Sequence, residues 1–233
     1  RAADAGVSAT ALSFDAAARD FRISRSRSGW DGRGDLSMTA AADFDSGKVR
    51  TLLTADRVLA DAAAANLKHL ALKSGGRLDV RDGRIRFVLD EPAVLTGAAG
   101  AVLRVPEMTF ESAGGKVTGA LQAALAGGRL PAATLRMREF TFANGAFESD
   151  AGIGARLDYG AFHGIAVDGA GRITGRAGEG SFSPAACAKL TISAFRPGPE
   201  NLARGIGGAL CGAGNAPMIA MGSSRWSADG EPP

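Results

Sequence analysis

Short runs of alternating apolar and polar residues, separated by glycine-containing turns, constrain this chain more than any other sequence feature. The clearest example spans residues 77–87 and has Asp82-Gly83 at its centre. An Asp-Gly pair between alternating runs is a strong hairpin signal, because a type I′ turn needs positive φ at both central residues. The sequence therefore predicts a two-residue β-hairpin at this point.

A two-residue turn also fixes which side chains face each other. The predicted cross-strand pairs are Leu78 with Phe87, Asp79 with Arg86, Val80 with Ile85, and Arg81 with Arg84. The Leu–Phe and Val–Ile pairs form an apolar face, while the other two pairs form a charged face. A chain built from such hairpins forms either a closed β structure with a dry core or an open apolar groove.

The composition agrees with a chain made mostly of strands and turns. Of the 233 residues, 33 are glycine, about twice the usual share of roughly 7%. Glycine destabilises helices but is expected in hairpins and bulges. We therefore predict an all-β fold, a repetitive antiparallel meander in one continuous segment covering residues 1–233. Because the chain begins with Arg1 and no signal peptide is recognisable, we expect it to be part of a longer protein.

A repeat supports this interpretation. Leu103–Phe110 and Leu135–Phe142 are identical at five of eight positions, 32 residues apart, and a glycine-centred turn follows each copy. Phe140 and Phe142 have the opposite parity from Leu135, which indicates a β-bulge between them. Such a unit cannot bury its apolar face alone and must stack on neighbouring units.

Two segments depart from the alternation. Ala60–Ala65 is alanine-rich and is compatible with a helical turn or with a strand of small residues. In Pro199–Leu210, the residues Leu202, Ile206 and Leu210 share one helical face, and Pro199 suits a first helical turn. The sequence therefore predicts one short amphipathic helix near the C-terminus, although its three internal glycines weaken it.

The cysteine count allows one disulfide. Cys187 and Cys211 are the only two cysteines, and a bridge between them would place the chain in an oxidising compartment. The alternative is a pair of buried free thiols. No metal site is expected, because His69 and His163 are far apart and the sequence contains no Cys-x-x-Cys.

The charge pattern and motifs exclude several function classes. The formal net charge is only +3, and acidic and basic residues are interspersed. The basic cluster of Arg22, Arg25, Arg27 and Arg33 surrounds serines and Trp30, and is interpreted as a solvated strand and turn rather than a nucleic-acid site. No nucleophile elbow or phosphate-binding loop is present. The chain is therefore not expected to be an enzyme or to need a cofactor.

The runs in residues 78–85, 135–145 and 190–195 give the chain a resemblance to the AsmA-like proteins of Gram-negative envelopes, most closely the YdbH branch and the related TamB-type repeating β-groove proteins. This resemblance implies a curved, groove-like elongated sheet with an apolar concave face. It also implies a periplasmic location, with the parent protein anchored in the inner membrane, and a role in phospholipid transport towards the outer membrane. The expected partners are phospholipid and the membrane components or proteins at the two ends of such a conduit.

Alternation and repeat position select the residues that would line the groove. These are Leu78, Val80, Ile85, Phe87, Leu103, Val105, Leu135, Met137, Leu190 and Ile192. The main alternative is an autotransporter-like extracellular β-solenoid with a closed core and no ligand. An enzyme on a β-helix scaffold is the third hypothesis.

Overall fold

A computed structural model describes residues 9–25, 29–45, 57–176, 179–198, 202–212, 219–221, 226–228 and 230–231. Within these ranges it contains fifteen β-strands and one helix. The strands are β1 Ala9–Arg25, β2 Trp30–Phe44, β3 His69–Arg81, β4 Arg84–Gly97, β5 Val102–Ala113, β6 Lys116–Ala126, β7 Ala132–Ala143, β8 Ala146–Tyr159, β9 Phe162–Arg176, β10 Glu179–Pro184, β11 Ala188–Phe195, β12 Ala203–Gly212, β13 Ile219–Met221, β14 Trp226–Ala228 and β15 Gly230–Glu231. The helix α1 is Arg57–Leu67.

The strands form an antiparallel meander that does not close on itself, so the predicted all-β class is confirmed. From β1 to β10 the strands neighbour one another in chain order. The chain divides into two compact units, which are described separately below. Unit 1 comprises Arg1–Glu107 and Ala123–Leu130, and unit 2 comprises Met108–Gln122 and Pro131–Pro233.

The hairpin predicted at Asp82-Gly83 is present in the predicted register. All four expected pairs occur between β3 and β4. Asp82 has φ 48° and Gly83 has φ 75°, as a type I′ turn requires. The predicted bulge in β7 is also present, since the pairing with β8 shifts by one residue between Met137 and Glu139.

The helix predicted near the C-terminus is wrong. Residues 203–212 form strand β12, which pairs with β11 along most of its length. Glycine lowers helix stability, and three glycines at positions 205, 207 and 208 remove the helical preference of this segment. Ile206, Gly208 and Leu210 also alternate with period two, which matches a strand. The helix that does form is α1, in the alanine-rich segment.

Phenylalanine rings cover glycines on neighbouring strands in both units. A Cβ atom built on Gly76 would lie 2.6 Å from the ring of Phe87, and one on Gly171 would lie 2.9 Å from the ring of Phe182. The ring takes the space that a side chain on the neighbouring strand would fill, a known way of stabilising glycine in sheets. The same arrangement joins Gly34 to Phe21 in unit 1 and Gly119 to Phe140 in unit 2.

Asn66 holds α1 against two loops of unit 1. Its side chain is 3% exposed. The amide nitrogen donates to the carbonyls of Ala62, 2.8 Å away, and Gly128, 2.9 Å away, while Oδ1 accepts from the Ala101 backbone N–H at 2.8 Å. One buried side chain therefore ties the last turn of the helix to the β4–β5 and β6–β7 loops.

We expect Asn66→Ala to lower the free energy of unfolding of unit 1 by about 2 kcal/mol, because buried polar groups lose their partners. Lys68→Ala, an exposed change one residue beyond the helix, is the control and should stay within about 0.5 kcal/mol of the parent. Denaturant titration of the three proteins measures the difference. Equal midpoints for Asn66→Ala and the control would show that this contact does not hold the helix.

Candidate functional site

The alternation sorts the side chains of unit 1 onto an apolar face and a polar face. Directly opposed residues of an antiparallel pair share a face. Following the registers from β1 to β4 gives one apolar set across the four strands. Its large members are Leu12, Phe14, Phe21, Ile23, Trp30, Leu36, Met38, Leu70, Leu72, Leu78, Val80, Ile85, Phe87, Leu89 and Leu95.

The polar face of unit 1 is occupied by ion pairs, both between neighbouring strands and within β3. Asp79 is central, with Arg33 at 2.9 Å and Arg81 at 3.0 Å. Further along, Arg77 lies 3.4 Å from Asp35. Exposed pairs of this kind stabilise a fold by at most about 1 kcal/mol each. These pairs identify this face as the polar, solvated face of unit 1.

The apolar face of unit 1 remains accessible. Leu12 is 74% exposed and Phe14 is 64% exposed on β1. Leu72, Leu78 and other members on the inner strands are only half-buried. Helix α1 lies against this face at one end, where a Cβ on Gly97, opposite Leu70, would meet Asn66 at 2.8 Å. Every other described element of unit 1 is a strand of the sheet itself, so no second layer covers the rest of this face within the described ranges.

Unit 2 has a corresponding apolar face, which is more densely packed at its centre. Leu135 lies opposite Ile153, Val167 opposite Leu190, and Ile165 opposite Ile192. At the centre, Met137 is 7% exposed and lies opposite the buried Ala151. Nearby on β8, the buried Ser149 donates its hydroxyl proton to the carbonyl of Glu139 at 2.8 Å. Phe142 and Ile206 remain exposed.

The ten residues predicted to line a groove are divided between the two units. Leu78, Val80, Ile85, Phe87, Leu103 and Val105 belong to unit 1, and Leu135, Met137, Leu190 and Ile192 belong to unit 2. The first four lie on adjacent strands as two opposed pairs. Leu190 and Ile192 lie beside each other on one face of β11. Ile85 is exposed, Met137 is buried and the other eight are half-buried.

The ten residues predicted from the sequence do not include the most exposed large apolar side chains of the sheet, which are those of β1 and β2. Leu12 and Phe14 share a face with Ala40 and Ala42 of β2. Their period-two spacing in the sequence predicts a strand. The small alanines that lie opposite them in β2 do not indicate an exposed apolar surface. Ile165 and Val167 of β9 are also absent from the predicted set, because the pair Asp168-Gly169 is typical of a turn, whereas β9 continues through it as one strand.

The described residues contain no cluster of potential metal ligands. No group of three or more potential metal ligands occurs in the part of the chain that the structure describes. His69 pairs with Asp43 at 2.6 Å across β2 and β3, and His163 lies opposite Ala194. None of the described helical residues forms a helix long and apolar enough to cross a membrane.

The polar face of unit 2 carries an open cleft with a floor of small residues. Arg136, Arg138 and Arg172 line it together with Asp150. Arg172 also forms an ion pair with Glu148, which lies outside the cleft lining. The mixture of positive and negative side chains is typical of a solvated surface.

Cys187 and Cys211 form the predicted disulfide. The antiparallel register places Ala188 opposite Leu210, so the two cysteines are the next opposed pair along β11 and β12. Their Cα atoms are 4.2 Å apart. The bridge therefore holds β12 against its neighbour at the end of the ladder.

Comparisons with protein-family models, with curated proteins and with solved structures gave no match.

Proposed function

We propose that this chain is a segment of an intermembrane phospholipid conduit in which the apolar faces of the sheet bind acyl chains. The observation that carries the proposal is the exposure of large apolar side chains on β1 and β2, in the part of the apolar face of unit 1 that lies away from α1. Exposed apolar patches in water mark surfaces that bind apolar partners. An acyl chain on this face gains about 0.8 kcal/mol for each CH₂ that it buries.

The opposite face supports the same proposal. It carries several ion pairs, so the same strands have one polar, solvated face and one apolar face. A lipid needs only an apolar wall for its tails, because its headgroup can remain in water.

The antiparallel meander favours the conduit over the solenoid alternative. A parallel β-helix stacks coils around a closed core. Here each of the strands β1–β4 pairs with its neighbour in antiparallel register. The disulfide supports an oxidising location such as the periplasm, where the parent protein would be anchored in the inner membrane and would meet partner components at the conduit's ends.

The test is to purify the protein from a Gram-negative envelope and to measure copurified phospholipid by native mass spectrometry. We expect bound phospholipid in the parent protein and its loss in the double variant Leu12→Glu/Phe14→Glu. Both positions are exposed, so the introduced charges can be hydrated and the melting temperature should remain unchanged. Ser13→Glu, on the polar face of the same strand, is the matched control and should keep its lipid. A lipid-free parent protein, or a lipid-free dimer that buries this face, would contradict the proposal.

A further inference from the structure

Arginine residues are concentrated at one end of strands β1–β4 in unit 1. The β1–β2 connection and the β3–β4 turn lie at the same end, because Gly32 of β2 pairs with both Ile23 and Val80. We name this end the arginine tip and define it as residues 21–25, 30–33 and 79–86. Its basic residues are Arg22, Arg25, Arg33, Arg81, Arg84 and Arg86. Three of them come from residues 22–33 and three from residues 81–86, and only the fold brings these two segments together.

The tip has an excess of positive charge. Its six arginines face only three acids, Asp31, Asp79 and Asp82, a net charge of +3. Asp79 is already shared by two arginines, Arg33 and Arg81. All six arginine side chains are exposed. At the opposite end of the same strands, residues 10–14, 40–44, 69–73 and 93–97 contain one aspartate, one lysine and a histidine.

Exposed apolar side chains accompany these arginines. Trp30 is 64% exposed and Ile23 is 62% exposed. Ile85, from the other hairpin, is also exposed. Arg25 lies over the indole ring, with its guanidinium carbon 5.8 Å from the ring centroid. Five of the arginines lie on the polar face of the sheet, while Trp30, Ile23 and Ile85 lie on the apolar face. The tip is therefore amphipathic across the thickness of the sheet.

We propose that the arginine tip docks onto the surface of an anionic phospholipid bilayer. Arginine binds phosphate through paired N–H donors, and basic residues near an anionic membrane are attracted to it. Tryptophan is enriched at the boundary between headgroups and acyl chains, where its ring is partly buried and its N–H stays near water. Trp30 and the two isoleucines would occupy that boundary, while the arginines contact the headgroups.

The apolar side chains favour a bilayer over a nucleic acid. Single-stranded nucleic acids bind to surfaces on which several aromatic rings stack with successive bases. The described part of the tip has two exposed aromatic rings, Trp30 and Phe21, and the Phe21 ring already packs over Gly34 of the neighbouring strand. Ile23 and Ile85 have no planar surface on which a base could stack. Aliphatic side chains are stabilised when they leave water for the acyl-chain region. The four strands are about 15 Å across, which is wide enough to contact several lipids.

Tryptophan fluorescence reports directly on this contact. The chain contains two tryptophans, so Trp226→Phe leaves Trp30 as the only one. We expect a blue shift of its emission, and quenching by brominated lipid, with vesicles of equal parts phosphatidylcholine and phosphatidylglycerol. Vesicles of phosphatidylcholine alone should give little response, and added salt should weaken the response. Flotation of the unmodified protein with the same vesicles provides an independent measure.

The arginines are tested by substitution. Arg22→Gln/Arg84→Gln/Arg86→Gln should weaken binding to the anionic vesicles on the order of 100-fold, because each positive charge near the surface contributes about fivefold. Arg136→Gln/Arg156→Gln/Arg176→Gln removes three exposed arginines from unit 2 and should bind as the parent does. Circular dichroism confirms that both triple variants fold.

Three outcomes would overturn the proposal: no vesicle binding, equal binding to both vesicle compositions, or an equal loss in the two triple variants. Tight binding to a single-stranded oligonucleotide, with no binding to vesicles, would assign the tip to nucleic acid instead. The inference does not depend on the proposed function. The arginine variants should retain copurified phospholipid, so docking at the tip and lipid binding on the apolar face can fail independently.

Discussion

Met137→Glu is expected to destabilise unit 2 by at least about 4 kcal/mol, because it places an unpaired carboxylate in one of the most buried positions of the apolar face. Met137 is 7% exposed, and Ala151 opposite it is 4% exposed. The flanking residues Arg136 and Arg138 line the cleft on the polar face, so neither supplies a partner there.

This penalty should depend on pH in a specific direction. Burial raises the pKa of a carboxyl group above its value in the unfolded chain, so the folded variant binds the proton more tightly than the unfolded one. The loss of stability is therefore smallest below the unfolded pKa of about 4.3 and grows as the pH rises above it.

Denaturant unfolding at pH 5 and pH 8 measures both effects. Met137→Leu, which keeps the volume approximately constant, should cost less than about 1.5 kcal/mol at either pH. Arg136→Gln, on the polar face of the same strand, should be close to neutral. A stable Met137→Glu protein with no pH-dependent penalty would mean that the centre of this face is hydrated.

Removal of the disulfide is expected to cost about 3.5 kcal/mol in the chain-entropy model, given the 24-residue separation of Cys187 and Cys211. The effect should concentrate in β12. This strand pairs with β11 and with the two-residue β15, and its residues 203–208 are exposed. With so little packing, β12 depends on the covalent link to stay in the ladder.

Hydrogen exchange with and without reductant locates this effect. Amides in residues 203–212 should exchange much faster after reduction, and the same change should occur in Cys187→Ser/Cys211→Ser. Amides of β3 in unit 1 provide the internal control and should not change. Protection of β12 that survives reduction would show that backbone pairing alone holds the strand.

The sequence predicted local pairing well where turn chemistry and alternation agreed. Asp82-Gly83 specified both the turn and the register, and the parity change before Phe140 located the bulge in β7. The same rules fail at Gly75-Gly76, because a Gly-Gly pair is typical of a turn but this pair lies inside β3. The reason is tertiary, since the ring of Phe87 occupies the space beside Gly76.

The wrong helix prediction for residues 202–210 has a related cause; the first residues of the predicted helix, 199–201, lie outside the described ranges. A spacing compatible with a helix face also fits alternate positions of a strand, and the long-range pairing with β11 decided between them. The candidate site was harder to predict than the fold. Alternation assigned Leu78 and Val80 to the apolar face, but how exposed that face is depends on whether a second layer covers it. No local pattern around Leu12 or Phe14 contains that information.

Photo-crosslinking from adjacent positions of β1 tests whether the apolar face of unit 1 binds phospholipid. A photoreactive phenylalanine analogue at position 14 faces the apolar side, and one at position 15 faces the polar side of the same strand. Both positions are exposed, so accessibility to reagents does not distinguish them. After irradiation in intact envelopes, we expect phospholipid to be attached at position 14 and little or none at position 15. Equal labelling at the two positions, or no lipid at position 14, would contradict it.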